Sequence, residues 1–442
     1  MALDMDATSG AIQFAKEVVE FHAVVLAHGD SGSLYPLTDD MPVCLLPVAG
    51  RPLLFYQLEA FRANGITDVT LMVADAFSSQ VKRFLSDYKE ASPRGTHQMS
   101  IHVVLTDFTQ GSAEALTQIK DRLTCKNFIV VPASLMVAEC LCEVLDQHRS
   151  RKADCTIAFR QPVQLQPGAK PKKQRERDID EDTEVVGLTS EGRVVIKSPM
   201  LEMEESGMCV SKFLLGKNAK IQINTELADP HLYVLASWVL PYLEQHREMV
   251  DIRQDLLPHL VQRQFQPRDQ DSEFWEKYKE QLYDNDTPEE DEELADSLNP
   301  IQIDSILFSG NTLCHGAENI QAYFQLNKEI IASPRVQLFG QLQGLRRRDQ
   351  TVVGKDCQLG QKVNIKGSVL GDKCSIGTKA KINNCIIMDN VRIGDNCTVQ
   401  NCVISSSAVI EEDCNLNDCQ VGMLTHITKG TKSKGEQFTR AG

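Results

Sequence analysis

Aliphatic residues near the C-terminus recur with a spacing of 17 residues. The fourteen positions form three rows: Val353, Leu370, Ile387, Ile404 and Val421; Leu359, Ile376, Ile393, Ile410 and Ile427; and Ile365, Ile382, Val399 and Leu416. The steps within a repeat are six, six and five residues, which neither a helix nor a strand produces. A triangular solenoid produces them, because each coil has three short parallel strands that each point one aliphatic side chain to the axis. The spacing therefore predicts a left-handed parallel β-helix of about four to five coils over residues 346–432.

Two residue types accompany this lattice. Glycine follows the aliphatic residue at Gly354, Gly360, Gly371, Gly377, Gly394 and Gly422. Since glycine tolerates positive φ, we expect these residues at the corners of the coils. Cysteine lies two residues before a lattice position at Cys357, Cys374, Cys385, Cys397, Cys402, Cys414 and Cys419. Residues i and i+2 of a strand share a face, and the chain has no CxxC pair, so these thiols are predicted to be reduced and to fill the coil interior.

Length and charge restrict the remaining classes of protein. A chain of 442 residues suits two or three domains, and its net charge of −15 argues against general attraction to DNA or to an anionic membrane. No apolar run approaches the roughly 18 residues of a membrane-spanning helix. Residues 1–20 carry acids and have no apolar core of a signal peptide, so they are predicted to be an N-terminal tail. We expect a cytosolic protein.

The N-terminal half alternates between strand and helix patterns. Apolar strands are predicted at His22–Ala27, Val69–Val73, Ile101–Leu105, Phe128–Val131, Cys155–Phe159 and Leu232–Leu235. Helices are predicted at Leu53–Arg62, Phe77–Tyr88 and Ser112–Leu123. Strands without polar alternation, separated by helices, indicate a parallel sheet covered on both faces. This α/β domain is predicted over residues 21–265.

Charged segments separate the two predicted domains. The basic run Lys170–Arg177 is followed at once by acids and has no interleaved aromatic residues, which favours a solvated loop over an RNA-binding or nuclear-localisation segment. Residues 284–296 contain eight acids and no bases, typical of an exposed linker. Residues 266–345 are therefore predicted to be an acidic linker and a helical connector, with a helix at Ala317–Ile331. Residues 433–442 are predicted to be a C-terminal tail.

The segment Ala23–Pro52 resembles the signature of the sugar-nucleotide pyrophosphorylases. In that family a strand ends in a glycine-rich loop with Gly-Thr-Arg, followed by Pro-Leu-Thr and Pro-Lys-Pro-Leu-Leu-Pro-Val. The stretches Pro36–Thr38, Leu45–Val48 and Arg51–Pro52 match it, together with Pro42. The resemblance implies an α/β nucleotidyltransferase-like (Rossmann-like) domain followed by a left-handed parallel β-helix, since the family often carries such a solenoid.

The charged residues of the signature are missing. Ser33 stands at the arginine position, Val43 at the lysine position, and Ser134 where the resemblance implies the carboxylate that holds Mg²⁺. The arginine and lysine would neutralise charge developing on the phosphates, and the carboxylate would bind the metal. We therefore expect no catalytic residue, no metal and no cofactor. Weak GTP binding could persist through the backbone N–H groups of the loop at Gly29 and Gly32.

The chain is also similar to a non-catalytic branch of this family, the gamma subunits of eukaryotic translation initiation factor 2B. The supporting motifs are Gly111–Leu116, Arg177–Asp178, Thr225–Tyr233 and the Tyr-x-x-x-Asn pattern at Tyr323 and Asn327. This resemblance implies a subunit of the guanine nucleotide exchange factor complex that acts on initiation factor 2. It implies the epsilon-type catalytic subunit and the other subunits as partners, and initiation factor 2 as the substrate G protein. The epsilon subunit adds a catalytic helical domain, which we expect this chain to lack.

Two other functions remain as alternatives. The first is a sugar-nucleotide pyrophosphorylase of the mannose-1-phosphate guanylyltransferase type, or its inactive regulatory paralogue. The second is a hexapeptide acyltransferase, which needs a histidine base on the solenoid, and His426 is the candidate. His28 and His231 are predicted to be structural.

Overall fold

The computed structural model describes residues 20–27, 32–91, 99–107, 110–123, 125–162, 183–206, 220–265, 301–310, 312–332, 345–346 and 350–440. The predicted tail at 1–19, the basic run and the acidic segment lie outside the described residues, as do His28 and Gly29. Within the described ranges, every helix is too short or too polar to span a bilayer.

The α/β domain contains strands β1–β12 and helices α1–α8. The strands are β1 Phe21–Ala27, β2 Pro47–Val48, β3 Arg51–Pro52, β4 Asp68–Ala74, β5 Ser100–Thr106, β6 Asn127–Pro132, β7 Cys155–Arg160, β8 Glu184–Thr189, β9 Val194–Pro199, β10 Ile221–Asn224, β11 Tyr233–Ala236 and β12 Ile303–Phe308. The helices are α1 Leu53–Ala63, α2 Ser78–Ala91, α3 Ser112–Thr117, α4 Leu141–Arg151, α5 Met200–Ser206, α6 Val239–Gln245, α7 Leu257–Arg263 and α8 Ile320–Ala332.

The main sheet has the order β12-β7-β11-β6-β1-β4-β5. Apolar clusters cover both of its faces, as predicted, with Val24 on one face and Ala23 and Val25 on the other. The predicted parallel sheet is confirmed for β1, β4, β5, β6, β7 and β12, whereas β11, for which no direction was predicted, runs antiparallel to both β6 and β7. All four residues of β11 are buried, and a strand buried on both faces has the same apolar pattern in either direction.

Two predictions need correction. The predicted helix Ser112–Leu123 ends as an α-helix at Thr117, and a 3₁₀ turn follows at Lys120–Arg122. The predicted connector at 266–345 contributes more than a helix: its strand β12 pairs with β7 and extends the main sheet. A second, three-stranded sheet with the order β10-β8-β9 lies between β7 and β11 in the sequence.

The C-terminal domain is the predicted left-handed β-helix. One parallel sheet contains β14 Thr351–Val353, β17 Val369–Leu370, β20 Ile386–Ile387, β23 Val403–Ile404, β26 Gln420–Val421 and β29 Gln437–Phe438, and β13 Leu345–Arg346 pairs antiparallel with β14. The second contains β15 Gln358–Leu359, β18 Ser375–Ile376, β21 Arg392–Ile393, β24 Val409–Ile410 and β27 His426–Ile427. The third contains β16 Asn364–Lys366, β19 Lys381–Asn383, β22 Thr398–Gln400, β25 Asn415–Asn417 and β28 Lys432–Lys434. Because β29 pairs with β26, the solenoid extends past residue 432 into the predicted tail.

The interior of the β-helix matches the lattice. From Leu370 to Ile427 every lattice residue is buried, whereas Leu359 in the first coil is 39% exposed. Six of the seven lattice cysteines are also buried, and all seven are free thiols, as predicted. Several of these thiols donate to carbonyl groups one coil away, such as Cys374 Sγ to Met388 O at 3.1 Å.

The predicted role of the lattice glycines is wrong. Positive φ at the corners belongs mainly to other residues, such as Lys379, Asn390 and Asn396, and none of the six lattice glycines has it. The glycines are needed for close approach instead: a Cβ on Gly371 would lie 2.3 Å from Asp389 Oδ1. That carboxylate accepts the backbone N–H of Asp372 at 2.8 Å. Glycine therefore leaves room for the aspartate of the following coil to bind the corner backbone.

Candidate functional site

The first loop begins where β1 ends and contains two 3₁₀ turns, Gly32–Leu34 and Val43–Leu45. Ser33, at the family's arginine position, is exposed. Val43, at the lysine position, is half-buried and packs against an apolar cluster between the two domains. An ammonium group there would be pushed toward apolar side chains, at a desolvation cost.

This apolar cluster, here called the junction cluster, joins the first loop, α8 and the β-helix. Its members include Leu34, Leu37, Leu46, Val48, Leu53, Met136, Tyr323, Leu326, Ile330, Val352, Val369, Ile386, Met388 and Val403. The four solenoid residues at 352, 369, 386 and 403 lie one position before the inward row, so they point out of the coils. The loop that resembles a phosphate clamp is therefore part of the packing between the domains.

Ser134, at the position of the metal-binding carboxylate, follows β6. Its carbonyl accepts a hydrogen bond from the Ala317 backbone N–H at 3.0 Å, and Leu135 forms an antiparallel bridge with Gly316. A Cβ on Gly316 would lie only 3.2 Å from Ser134 Oγ. Beneath the strand end, the buried side chain of Gln57 donates to Pro132 O and Leu135 O at 2.9 and 2.8 Å. The backbone carbonyls at the strand end are thus hydrogen-bonded to protein groups.

The Tyr-x-x-x-Asn motif has a structural role in α8. Asn319 caps this helix, because its Oδ1 accepts the Ala322 backbone N–H at 2.9 Å. Tyr323 donates its hydroxyl to Pro47 O at 2.5 Å, and Asn327 Oδ1 accepts the Ala49 backbone N–H at 2.9 Å. The two side chains hold the turn between β2 and β3, where Ala49 has a φ of 49°. Neither hydrogen bond was predicted from the sequence, where the motif served only as evidence of similarity to the family.

The Gly111–Leu116 motif also binds protein backbone. A Cβ on Gly111 would lie 2.3 Å from the carbonyl oxygen of Val250, so only glycine fits there. The Ser112 hydroxyl donates to Asp251 Oδ2 at 2.8 Å and accepts the Ile252 backbone N–H at 2.9 Å. These contacts attach the start of α3 to the π-helical turn Ile252–Leu256.

A buried ionic network is the feature that sequence reasoning missed. The side chain of Lys197 is fully buried, with its Nζ 2.5 Å from Glu184 and 3.4 Å from Asp229. Arg253 Nε lies 2.8 Å from Glu184, and the Tyr233 hydroxyl donates to Asp229 at 2.9 Å. Burial alone would raise the pKa of Asp229, but Lys197 and the other charges around it lower that pKa below its usual value. The available signal was Asp229 itself, inside the motif Thr225–Tyr233.

The remaining candidates are isolated side chains. His426 is exposed on the outside of β27, 3.2 Å from Glu411, and His231 precedes β11. Across the described residues, no group of three or more His, Cys, Asp or Glu side chains has the arrangement of a metal site.

Comparisons with known proteins agree with this architecture. Residues 22–167 match the family model "Nucleotidyl transferase", and residues 341–432 match "EIF2B subunit epsilon LbH domain". Translation initiation factor eIF2B subunit gamma of Schizosaccharomyces pombe is 27% identical over 362 residues, which is 81% of this chain and 75% of that protein. The resemblance to eIF2B gamma subunits is confirmed.

Two further relatives extend the comparison. The gamma subunit of Dictyostelium discoideum is 26% identical over 260 residues, which is 55% of this chain and 57% of that protein. The eIF2B epsilon subunit of S. pombe is 27% identical over 147 residues, which is 33% of this chain and 21% of that protein. The match to the gamma subunits is therefore broader than the match to the epsilon subunit, which covers a third of the chain.

Proposed function

We propose that this chain is a non-catalytic subunit of an eIF2B-type guanine nucleotide exchange complex. The observation that carries the proposal is similarity to eIF2B gamma over both domains, combined with a first loop that packs between domains. On this proposal the chain pairs with an epsilon-type subunit and helps to dock initiation factor 2 in the cytosol.

The geometry of the loop supports a role without nucleotidyl transfer. Val43 contributes to the junction cluster, Ser33 is an uncharged side chain in solvent, and Ser134 is tied to the segment before α8. A pyrophosphorylase needs positively charged side chains next to the phosphates of its substrate and a metal ligand at the position of Ser134, because catalysis of phosphoryl chemistry is largely electrostatic. We infer that the chain has no catalytic residue, metal or resident cofactor.

The test of the proposed function is an exchange assay. This chain and an epsilon-type subunit are expressed separately and together, and release of labelled GDP from initiation factor 2 is followed. We expect a stable complex that releases GDP faster than the epsilon-type subunit alone, and no release by this chain alone. Co-expression without a complex and without stimulation would refute the proposal.

The pyrophosphorylase alternative rests on the nucleotidyltransferase family match and is tested directly. The purified chain is incubated with mannose-1-phosphate or glucose-1-phosphate, each nucleoside triphosphate and Mg²⁺, and pyrophosphate is measured. We expect none above background. Turnover within a few orders of magnitude of typical enzyme rates of about 1–10³ s⁻¹ would instead support the enzyme. A Val43→Lys variant should melt at a lower temperature and gain no activity.

A further inference from the structure

At one corner of the β-helix, the last coil has a residue type that differs from those at the equivalent position of the other coils. The corner that follows the first solenoid sheet has one residue with positive φ in each coil, at Asp356, Lys373, Asn390, Ser407 and Leu424, with φ between 55° and 60°. Left-handed backbone suits Asn and Asp, whose short polar side chains make local hydrogen bonds, and it places the Cβ of other residues in a steric conflict. Leucine gains nothing from this conformation.

Leu424 is also poorly buried in this chain. It is 52% exposed, the largest value among the exposed large apolar side chains of the described residues. The residue before it, Met423, is half-buried, whereas the same position in the second and third coils is Asp372 and Asp389. The corner thus changes from charged to apolar along the solenoid, and at its last coil it presents a leucine to solvent in a conformation that disfavours leucine.

A second exposed apolar side chain, on the other domain, belongs to a residue next to one that contacts this end of the β-helix. The Cβ of Pro36 lies 3.5 Å from the place where a Cβ on Gly422 would be. Tyr35 is adjacent to Pro36 and is 43% exposed, although Leu34 and Leu37 around it are buried. The contact between Pro36 and Gly422 joins the two domains. Three residues lie within two positions of it in the sequence and are here called the corner patch: Tyr35, Met423 and Leu424.

The charges near the patch indicate what can cover it. Asp39 and Asp40 are exposed in the same loop as Tyr35, and the whole chain has a net charge of −15. A second copy would bring the same acidic surface and the same negative charge, which disfavours self-association. A surface with an apolar socket and a basic rim would complement both the side chains and the charge.

We propose that the corner patch is a docking point for the epsilon-type partner, which meets it with an apolar socket flanked by basic residues. This inference rests on the proposed function and adds the place of contact. Because Tyr35 belongs to the α/β domain and Leu424 to the β-helix, a partner bound there contacts both domains at their junction. Exposed aromatic and aliphatic residues that enter a partner's pocket are typical of the residues that dominate binding energy.

The decisive variant is Leu424→Asn, because asparagine suits positive φ. If the leucine serves only binding, Leu424→Asn should keep or raise the melting temperature of the isolated chain. It should also weaken binding of the purified epsilon-type subunit at least tenfold. Lys373→Asn is the matched control, at the equivalent corner three coils away, and should change neither quantity. Tyr35→Ser should weaken binding as well, and raising the salt concentration should weaken binding of the natural chain.

Each other outcome has a definite meaning. Unchanged affinity of Leu424→Asn for the epsilon-type subunit would overturn the docking proposal while leaving the proposed function standing. A melting temperature lowered by several degrees would show that Leu424 serves this fold, and would also overturn it. Sedimentation that shows self-association abolished by Leu424→Asn would replace the partner with a second copy. Failure of the natural chain to bind the epsilon-type subunit would remove the proposed function and this inference together.

Discussion

The interior of the β-helix contains aliphatic side chains and thiols, whereas the interior of the α/β domain contains the paired charges of Lys197, Glu184 and Asp229. In the solenoid, charged groups lie on the outside, on strands, as at Arg392, and at corners, where Asp389 accepts a hydrogen bond from the backbone of the preceding coil. The solenoid repeats the same packing every 17 residues, and within the solenoid each coil contacts only the adjacent coils. The α/β domain instead joins distant segments, and its charges are stable only because that whole arrangement is in place.

The largest effect should come from placing a charge inside the solenoid. Ile393 is buried between Ile376 and Ile410, so Ile393→Asp would bury an unpaired carboxylate and cost more than about 4 kcal/mol. Arg392→Asp, one residue away and exposed, should change stability little. Thermal melts followed by circular dichroism measure both. Equal stability of the two variants would contradict the contrast between the two interiors.

The buried lysine provides the reciprocal test in the α/β domain. Lys197→Met would leave the buried Asp229 without its main counter-charge, and we expect a loss of about 3–5 kcal/mol. Lys220→Met, at an exposed position before β10, is the control and should be nearly neutral. Chemical denaturation gives both values. If Lys197→Met were as stable as the natural chain, the network would not support the α/β domain.

Acid should distinguish the two domains. Burial lowers the pKa of both His22 and His148 from 6.5 to about 4. As the pH falls from 6.5 to about 4, these histidines are therefore protonated in the unfolded chain but remain neutral in the folded chain. Each histidine should destabilise the fold by about 2 kcal/mol at pH 5 relative to pH 7. Asp154 acts in the opposite sense, because burial raises its pKa to about 6 and its folded form binds a proton first.

The net expectation is a loss of about 2–3 kcal/mol in the α/β domain between pH 7 and pH 5. Both histidines bind threonine hydroxyls, His22 at Thr70 and His148 at Thr156, so His22→Gln and His148→Gln keep a polar group and should flatten the pH dependence. Among the described residues, the β-helix has no buried histidine. Hydrogen exchange across this pH range would resolve the two domains, and equal acid sensitivity of both would contradict the prediction.

The smallest effect concerns the corners. Gly371→Ala would place a Cβ 2.7 Å from backbone atoms of the next coil and should cost about 2–3 kcal/mol. Gly367 has a φ of 55° but open space around it, so Gly367→Ala should cost about 1 kcal/mol. Thermal melts of the two variants compare the stability lost through a steric clash with the stability lost through an unfavourable φ. A larger loss at Gly367 would contradict the expectation that close approach costs more than backbone conformation at these corners.

The sequence was informative where contacts repeat locally. The 17-residue lattice predicted the β-helix and the inward residues because stacked strands place identical positions against one another. It did not reveal the direction of β11 or the sheet position of β12, since both depend on how distant segments meet. The corner glycines were misread because a sequence does not distinguish a residue that needs positive φ from one that needs space.

The sequence predicted which charged residues of the family signature are missing from the site. It did not predict the contacts that the residues at those positions make. Ser33, Val43 and Ser134 could be identified by comparison with the family signature. That Val43 would pack against the junction cluster, or that Ala317 would bind the carbonyl of Ser134, requires knowing where α8 lies. The network at Lys197 was hidden for the same reason, because Glu184, Asp229 and Arg253 are far apart in the chain.

The hydrogen bonds from Tyr323 and Asn327 to the turn at Pro47–Ala49 bear on how enzyme signatures are interpreted. They give the Leu-Leu-Pro-Val segment a structural role that does not depend on nucleotide binding. Part of this signature therefore has a structural role, because its backbone binds the helix α8, which also packs against the β-helix. A match to the uncharged residues of this signature therefore does not by itself indicate nucleotidyl transfer.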